Sequence, residues 1–215
     1  MSDSGESFET PTPSAPQEPP LLEFLEVMRR LRAECAWKAG QTHRSLARYL
    51  LEETHETLEA IDTGDAALLR EELGDLLLQV YFHAVIAEEA GEFTIDDVAG
   101  DIIAKMHRRN PHVFGSEPGD TPAPTDPARI NEVWESIKAS EKQRTSVTEG
   151  LPPGLPALLY ADKVLDRLER AGRPAAPDPA DLGGRLLGLV AEARTTGVDP
   201  EQALRDAVRR LLPPD

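Results

Sequence analysis

Cysteine is almost absent from this chain: Cys35 is the only one in 215 residues. No intrachain disulfide can form, no thiolate cluster can hold a metal, and a reducing cytoplasm is the expected setting. Basic charge is also scarce, with 23 Lys and Arg against 39 Asp and Glu and a formal net charge of -16. So acidic a surface cannot displace counterions along DNA or RNA, which argues against a nucleic-acid polymer as partner. No uncharged apolar run reaches the roughly 18 residues needed to cross a bilayer. The opening MSDSGESFETPTPSAPQEPP has neither the basic nor the apolar region of an export signal. A soluble protein with no membrane partner is expected. Alternating β-branched runs are missing too, so the expected fold class is all-α.

What is present is a 40% hydrophobic composition, enough for a packed core. Residues Met1 to Pro20 carry five prolines, four acids and one aromatic. That composition cannot bury enough surface to offset its ordering entropy, and predicts a disordered tail over 1–20. From Leu21 the apolar residues Leu21, Leu22, Leu25, Met28 and Leu31 recur at helical spacing, ending before a turn-like AWKAGQTH. Further helices are predicted from Ser45 to Asp62, from Ala66 to about Glu89, from the Thr94 cap to Arg109, and from Arg129 to about Lys142. Gly64 marks the stop between the second and third, and HVFGSEPGDTPAPTDPA reads as loop. Beyond it, ELGDLLLQV at Glu72 is echoed by DLGGRLLGL at Asp181, where the second acid has become Gly184. The expected organisation is a tail (1–20), a catalytic domain (21–145) and a degenerate partial repeat (146–215).

The chemistry is concentrated in acids. Glu53 with Glu56, and Glu72 with Asp75, lie three residues apart and project as pairs from neighbouring helices. If the helices pack, four carboxylates converge and repel one another until a cation neutralises them. Oxygen-only ligands select hard ions, Mg²⁺ or Mn²⁺, and such an ion invites phosphate chemistry.

The string EExxE followed by ExxD, with QTHRSL, YLLEETHE, REELGDLLLQV and RRNPHVFG in order, resembles the MazG family of nucleoside triphosphate pyrophosphohydrolases over roughly Leu21 to Lys142. The resemblance implies an all-α helical bundle, commonly a homodimer, and Mg²⁺-dependent hydrolysis of nucleoside triphosphates to the monophosphate and pyrophosphate. It also implies Glu53, Glu56, Glu72 and Asp75 as metal ligands, and Glu52 as the acid that orients or deprotonates the water. Lys105, Arg109 and Lys138 fall at positions it marks for substrate contact, and Trp134, one turn from Lys138, could stack on a base. Trp37 and Gln41 remain of the family's CPWDxxQTH, but CAWKAGQTH substitutes Ala36, Lys38 and Gly40 at positions where the family differs. Those departures bear on substrate range more than on the reaction. Clearing damaged nucleotides is the role the resemblance suggests.

Three rival readings have sequence support. An all-α dUTPase-like phosphohydrolase narrowed to one pyrimidine deoxynucleotide shares the acid pattern. A di-iron bundle would use Glu52 and His55 as ExxH, but neither His83 nor His107 has an acid three residues before it. A non-catalytic nucleotide-binding or interaction protein would account for the degenerate repeat and the altered loop.

Overall fold

The computed structural model describes residues 19–115, 125–141 and 145–212. Among them are ten helices and no strand, in agreement with the all-α expectation. The predicted tail lies outside the described residues except for Pro19 and Pro20, and Pro20 opens the first helix.

The chain divides into two compact units, Met1–Ile130 and Asn131–Asp215. The first holds α1 (Pro20–Glu34), α2 (Ala36–Ala39), α3 (His43–Thr63), α4 (Ala66–Glu89), α5 (Ile95–Arg109) and α6 (Pro111–Phe114). α7 (Pro127–Ser140) crosses the division, and α8 (Ala157–Arg170), α9 (Leu182–Thr195) and α10 (Pro200–Arg209) belong to the second. The short α2 and α6 fall inside segments read as turn and loop, since four residues carry too little periodicity to register.

Local chemistry sets the ends of the two helices that matter most. Thr42 caps α3 in a reciprocal capping box with Ser45, and the hydroxyl of Thr42 accepts the Ser45 amide at 3.1 Å. At the other end Gly64 adopts φ 71, a left-handed conformation that glycine enters without a Cβ penalty. Asp65 follows at once as the cap of α4, accepting the Ala67 and Leu68 amides at 2.8 and 3.2 Å. A link of only two residues forces α3 and α4 to return side by side as an antiparallel hairpin.

α4 is the central element of this unit, packed against α3, α1 and α5. Its Tyr81, Phe82 and Val85 form the buried core with Leu25 and Met28 of α1 and Leu46 of α3. Tyr81 also donates its hydroxyl to the Leu21 carbonyl at 3.1 Å and sets its ring 4.9 Å from that of Phe24. Two arginines on α1 fork onto adjacent acids at the end of α4: Arg29 reaches Glu88 and Arg32 reaches Glu89, each with a contact of 2.5 Å. The Arg32 guanidinium also donates to the carbonyls of Lys38, Ala39 and Gln41, stapling the α2 turn to α1. In the second unit α8, α9 and α10 pack on one another, with Leu165 and Val190 buried.

Met28 has no solvent exposure, so Met28→Ala is expected to destabilise the protein by about 2–5 kcal/mol, read by denaturant unfolding. An unshifted midpoint would contradict this core assignment. The Arg32 hydrogen bonds hold the Glu89 carboxyl below its usual range. Its stabilising contribution is therefore present above the ordinary carboxylate pKa of about 4.3 and lost as pH falls through the lowered value. Glu89→Gln should be less stable than the parent at pH 7 in thermal unfolding, with the gap narrowing as pH falls below about 4. A gap that persists at low pH would show the pair is not its source.

Candidate active site

The hairpin explains why the acids meet. Counted from Gly64, Glu56 and Glu72 stand eight residues away on the two helices of the hairpin, and Glu53 and Asp75 eleven. At 1.5 Å of rise per residue, members of each couple lie at the same height on their helices. Electrostatics agrees with that pairing. After burial, the largest charge raising the Glu53 carboxyl is Asp75, and the largest raising Glu72 is Glu56.

Each acid also lies on or beside the inward stripe of its helix. On α3 the non-exposed residues Leu46, Tyr49, Glu53, Thr57 and Ala60 recur at intervals of three and four, so Glu53 interrupts an otherwise core-facing row. On α4 the polar stripe Glu72, Asp75, Gln79 and His83 is likewise non-exposed throughout. Thr57 locks the two helices together at this level. Its buried hydroxyl donates to the Glu53 carbonyl at 2.7 Å and lies 3.4 Å from the Glu72 carbonyl.

Glu53, Glu56 and Glu72 bring one carboxylate oxygen each to within 4.8 Å of one another, a spacing that suits ligation of a common ion. Asp75 is outside that tight set but close enough that its charge raises both Glu53 and Glu72. Glu52 is exposed and points about 100° around the helix from Glu53, raising the Glu53 carboxyl from outside the cluster. Burial, Asp75, Glu56 and Glu52 together push Glu53 above the usual carboxylate range; burial, Glu56, Asp75 and Glu71 do the same for Glu72. Such a collection of oxygens with unmet negative charge fits a hard divalent cation.

The other expected residues are distributed between the units. Trp37 is exposed, with its ring edge-on to Tyr49 at 6.2 Å and the Lys38 ammonium 5.5 Å from its centroid. Gln41 knits the turn, donating to the Trp37 carbonyl at 3.1 Å and accepting from Ser45 at 2.7 Å. Lys105 and Arg109 are half-buried and one turn apart on α5. Trp134 and Lys138 belong to the second unit, where Lys138 lies 4.7 Å over the Trp134 ring and 3.1 Å from Glu135.

Sequence reasoning did not find the pairing of His43 with His83. Their rings stack 2° from parallel with Nδ1 atoms 2.7 Å apart, in a hydrogen bond joining the start of α3 to α4. Burial, and then His43, push the His83 imidazole below its usual pKa. The stripe from Asp75 pointed to His83, but nothing local named a partner forty residues away.

A raised folded-state carboxyl favours the native state below its unfolded pKa and loses that advantage as pH rises through the folded value. In EDTA, Glu53→Gln is therefore expected to melt above the parent at pH 7 to 8, the gap closing as pH falls to about 4. A variant that melts below the parent at pH 7 would mean Glu53 is not under repulsion.

A model of the MazG nucleotide pyrophosphohydrolase domain matches residues 41–114, a span that includes all four acids. The chain is 47% identical to an uncharacterized 26.1 kDa protein in the blaB 3'region of Streptomyces cacaoi, over 87% of this chain and 77% of that one. It is 44% identical to a nucleoside triphosphate pyrophosphohydrolase of Mycobacterium tuberculosis, over 87% of this chain but only 54% of that protein's length. A third relative, the nucleoside triphosphate pyrophosphohydrolase/pyrophosphatase MazG of Thermotoga maritima, is 38% identical over 88% of this chain and 82% of its own. Similarity of that depth, centred on the hairpin that carries the acids, makes this chain a member of the MazG nucleotide pyrophosphohydrolase family.

Proposed function

We propose that the protein hydrolyses nucleoside triphosphates to the monophosphate and pyrophosphate, with water attacking the α-phosphorus. The observation that carries this reading is the meeting of Glu53, Glu56 and Glu72 within 4.8 Å across the α3–α4 hairpin, with Asp75 electrostatically coupled to them. These four acids would hold Mg²⁺, with Mn²⁺ as a substitute. When bound, such an ion supplies charge neutralisation for the triphosphate and a more acidic bound water. The names of the Mycobacterium and Thermotoga relatives support the same reaction class.

The chain's own residues then have separate tasks. Repulsion among the acids is relieved only when positive charge arrives, which makes the site selective for a cation-borne substrate over a free anion. Glu52, beside the cluster but exposed, is assigned to orient the water and take its proton. Lys105 and Arg109, sharing one face of α5, are assigned to phosphate oxygens. Trp37 and Gln41 in the α2 turn, and Trp134 and Lys138 on α7, keep the substrate-contact roles that the resemblance implies. A homodimer in the cytoplasm completes the reading, supported by exposed Leu51, Ile61, Leu73 and Val80 on α3 and α4. No helix of the described residues is long and apolar enough to cross a membrane.

The test is to incubate the protein and Mg²⁺ with each common and modified nucleoside triphosphate and identify the phosphate product. Pyrophosphate is expected, and orthophosphate alone would refute attack at the α-phosphorus. Glu53→Gln and Asp75→Asn should each lower turnover by at least about 100-fold while leaving the helical circular dichroism intact. Full activity in either variant would remove that residue from the site.

A further inference from the structure

The second unit contains a cavity of about 740 Å³, lined wholly by that unit's own residues, whose charge is opposite to that of the chain as a whole. Six basic residues line it, Lys138, Lys163, Arg167, Arg170, Arg173 and Arg194, against three acids, Glu135, Asp162 and Asp166. Acids outnumber bases 39 to 23 in the sequence, so this reversal sets the cavity apart.

The three acids are already engaged. Glu135 is held by Arg170 at 2.5 Å and Lys138 at 3.1 Å, Asp162 by Arg194 at 2.7 Å, and Asp166 by Arg170 at 3.0 Å and Arg194 at 3.3 Å. Lys163 and Arg173 have no acid within ion-pair distance among the described residues, although both reach the same cavity. Two cations lining one cavity without a paired acid favour an anion there. The lining also has an apolar part, made by Val147, Leu151, Pro152 and Leu155. Arg167 fastens this wall over α8, donating to the Val147 carbonyl at 2.9 Å and the Glu149 carbonyl at 2.7 Å. The wall is therefore part of a built pocket, and the volume lies within the range of small-molecule sites, roughly 300–1,000 Å³.

We infer that this cavity binds a small phosphate-bearing molecule, its phosphate on Lys163 and Arg173 and its apolar or planar body against the Val147, Leu151 and Leu155 wall. Lys163 and Arg173 belong to the second unit and have no part in the hydrolysis proposed above, and they take a phosphate ester without a metal ion. Arg170 and Arg194 line the same space, held in place by their acid partners.

Calorimetric titration of the full chain in EDTA with AMP, and separately with inorganic phosphate, tests this, since without a cation the acid hairpin repels both. Saturable AMP binding is expected, tighter than that of inorganic phosphate. The double variant Lys163→Glu, Arg173→Glu should weaken AMP at least tenfold with unchanged melting, because both side chains are exposed. Lys105→Glu, in the other unit, should leave AMP binding as it is. Absence of saturable AMP binding, no preference over inorganic phosphate, or indifference to the Lys163 and Arg173 reversal would overturn the inference. So would a tenfold loss in Lys105→Glu, which would locate the AMP at the hairpin unit instead. None of these outcomes depends on whether the protein hydrolyses a triphosphate.

Discussion

Like charges held at equal heights on two packed helices are the constraint around which the first unit is organised. The two-residue link at Gly64 and Asp65 fixes the register, and the register sets Glu56 level with Glu72 and Glu53 level with Asp75. Packing must hold this arrangement against its own repulsion. α4 is therefore enclosed by α1, α3 and α5, its far end is clamped by Arg29 and Arg32, and Thr57 ties the two backbones at the acids. Stability is supplied at the ends and on the back of α4, and the hairpin face carries the clustered acids. That division is what a cation-dependent site requires.

Much of this could be read from the residues. The spacing of Glu53 with Glu56 and of Glu72 with Asp75 predicts two pairs on neighbouring helices, of which the structure brings Glu53, Glu56 and Glu72 close together with Asp75 outside the tight set, and the glycine stop and Thr94 cap mark the bounds of the helices around them. α4 and α5 occupy the predicted residues because their caps and apolar period agree. What escaped were contacts between distant segments. The Arg32 staple joins α1 to carbonyls of the α2 turn, and those carbonyls have no sequence signature. The His43–His83 bond depends on the register of the hairpin, and that register is legible only after Gly64 is seen to turn the chain within two residues.

The second unit was expected to begin near residue 146 as a degenerate copy, and its compact part starts at Asn131. Most of α7 therefore stands with α8 to α10, joined through the Arg170 to Glu135 ion pair. Asp181, the residue that echoes Glu72, serves as the cap of α9, accepting the Gly184 amide at 2.7 Å. The basic residues of α8 carry their own sequence signal, since Lys163, Arg167 and Arg170 fall at helical intervals on one face.

The central claim is that the carboxylates of the α3–α4 hairpin form a divalent-cation site. Electron paramagnetic resonance of Mn²⁺ titrated into the metal-free protein counts bound ions directly, without reference to any substrate. Saturable Mn²⁺ binding is expected, displaced by Mg²⁺ and weakened at least tenfold by Glu72→Gln. Mn²⁺ that stays free in solution, or binding that Glu72→Gln leaves unchanged, would contradict it.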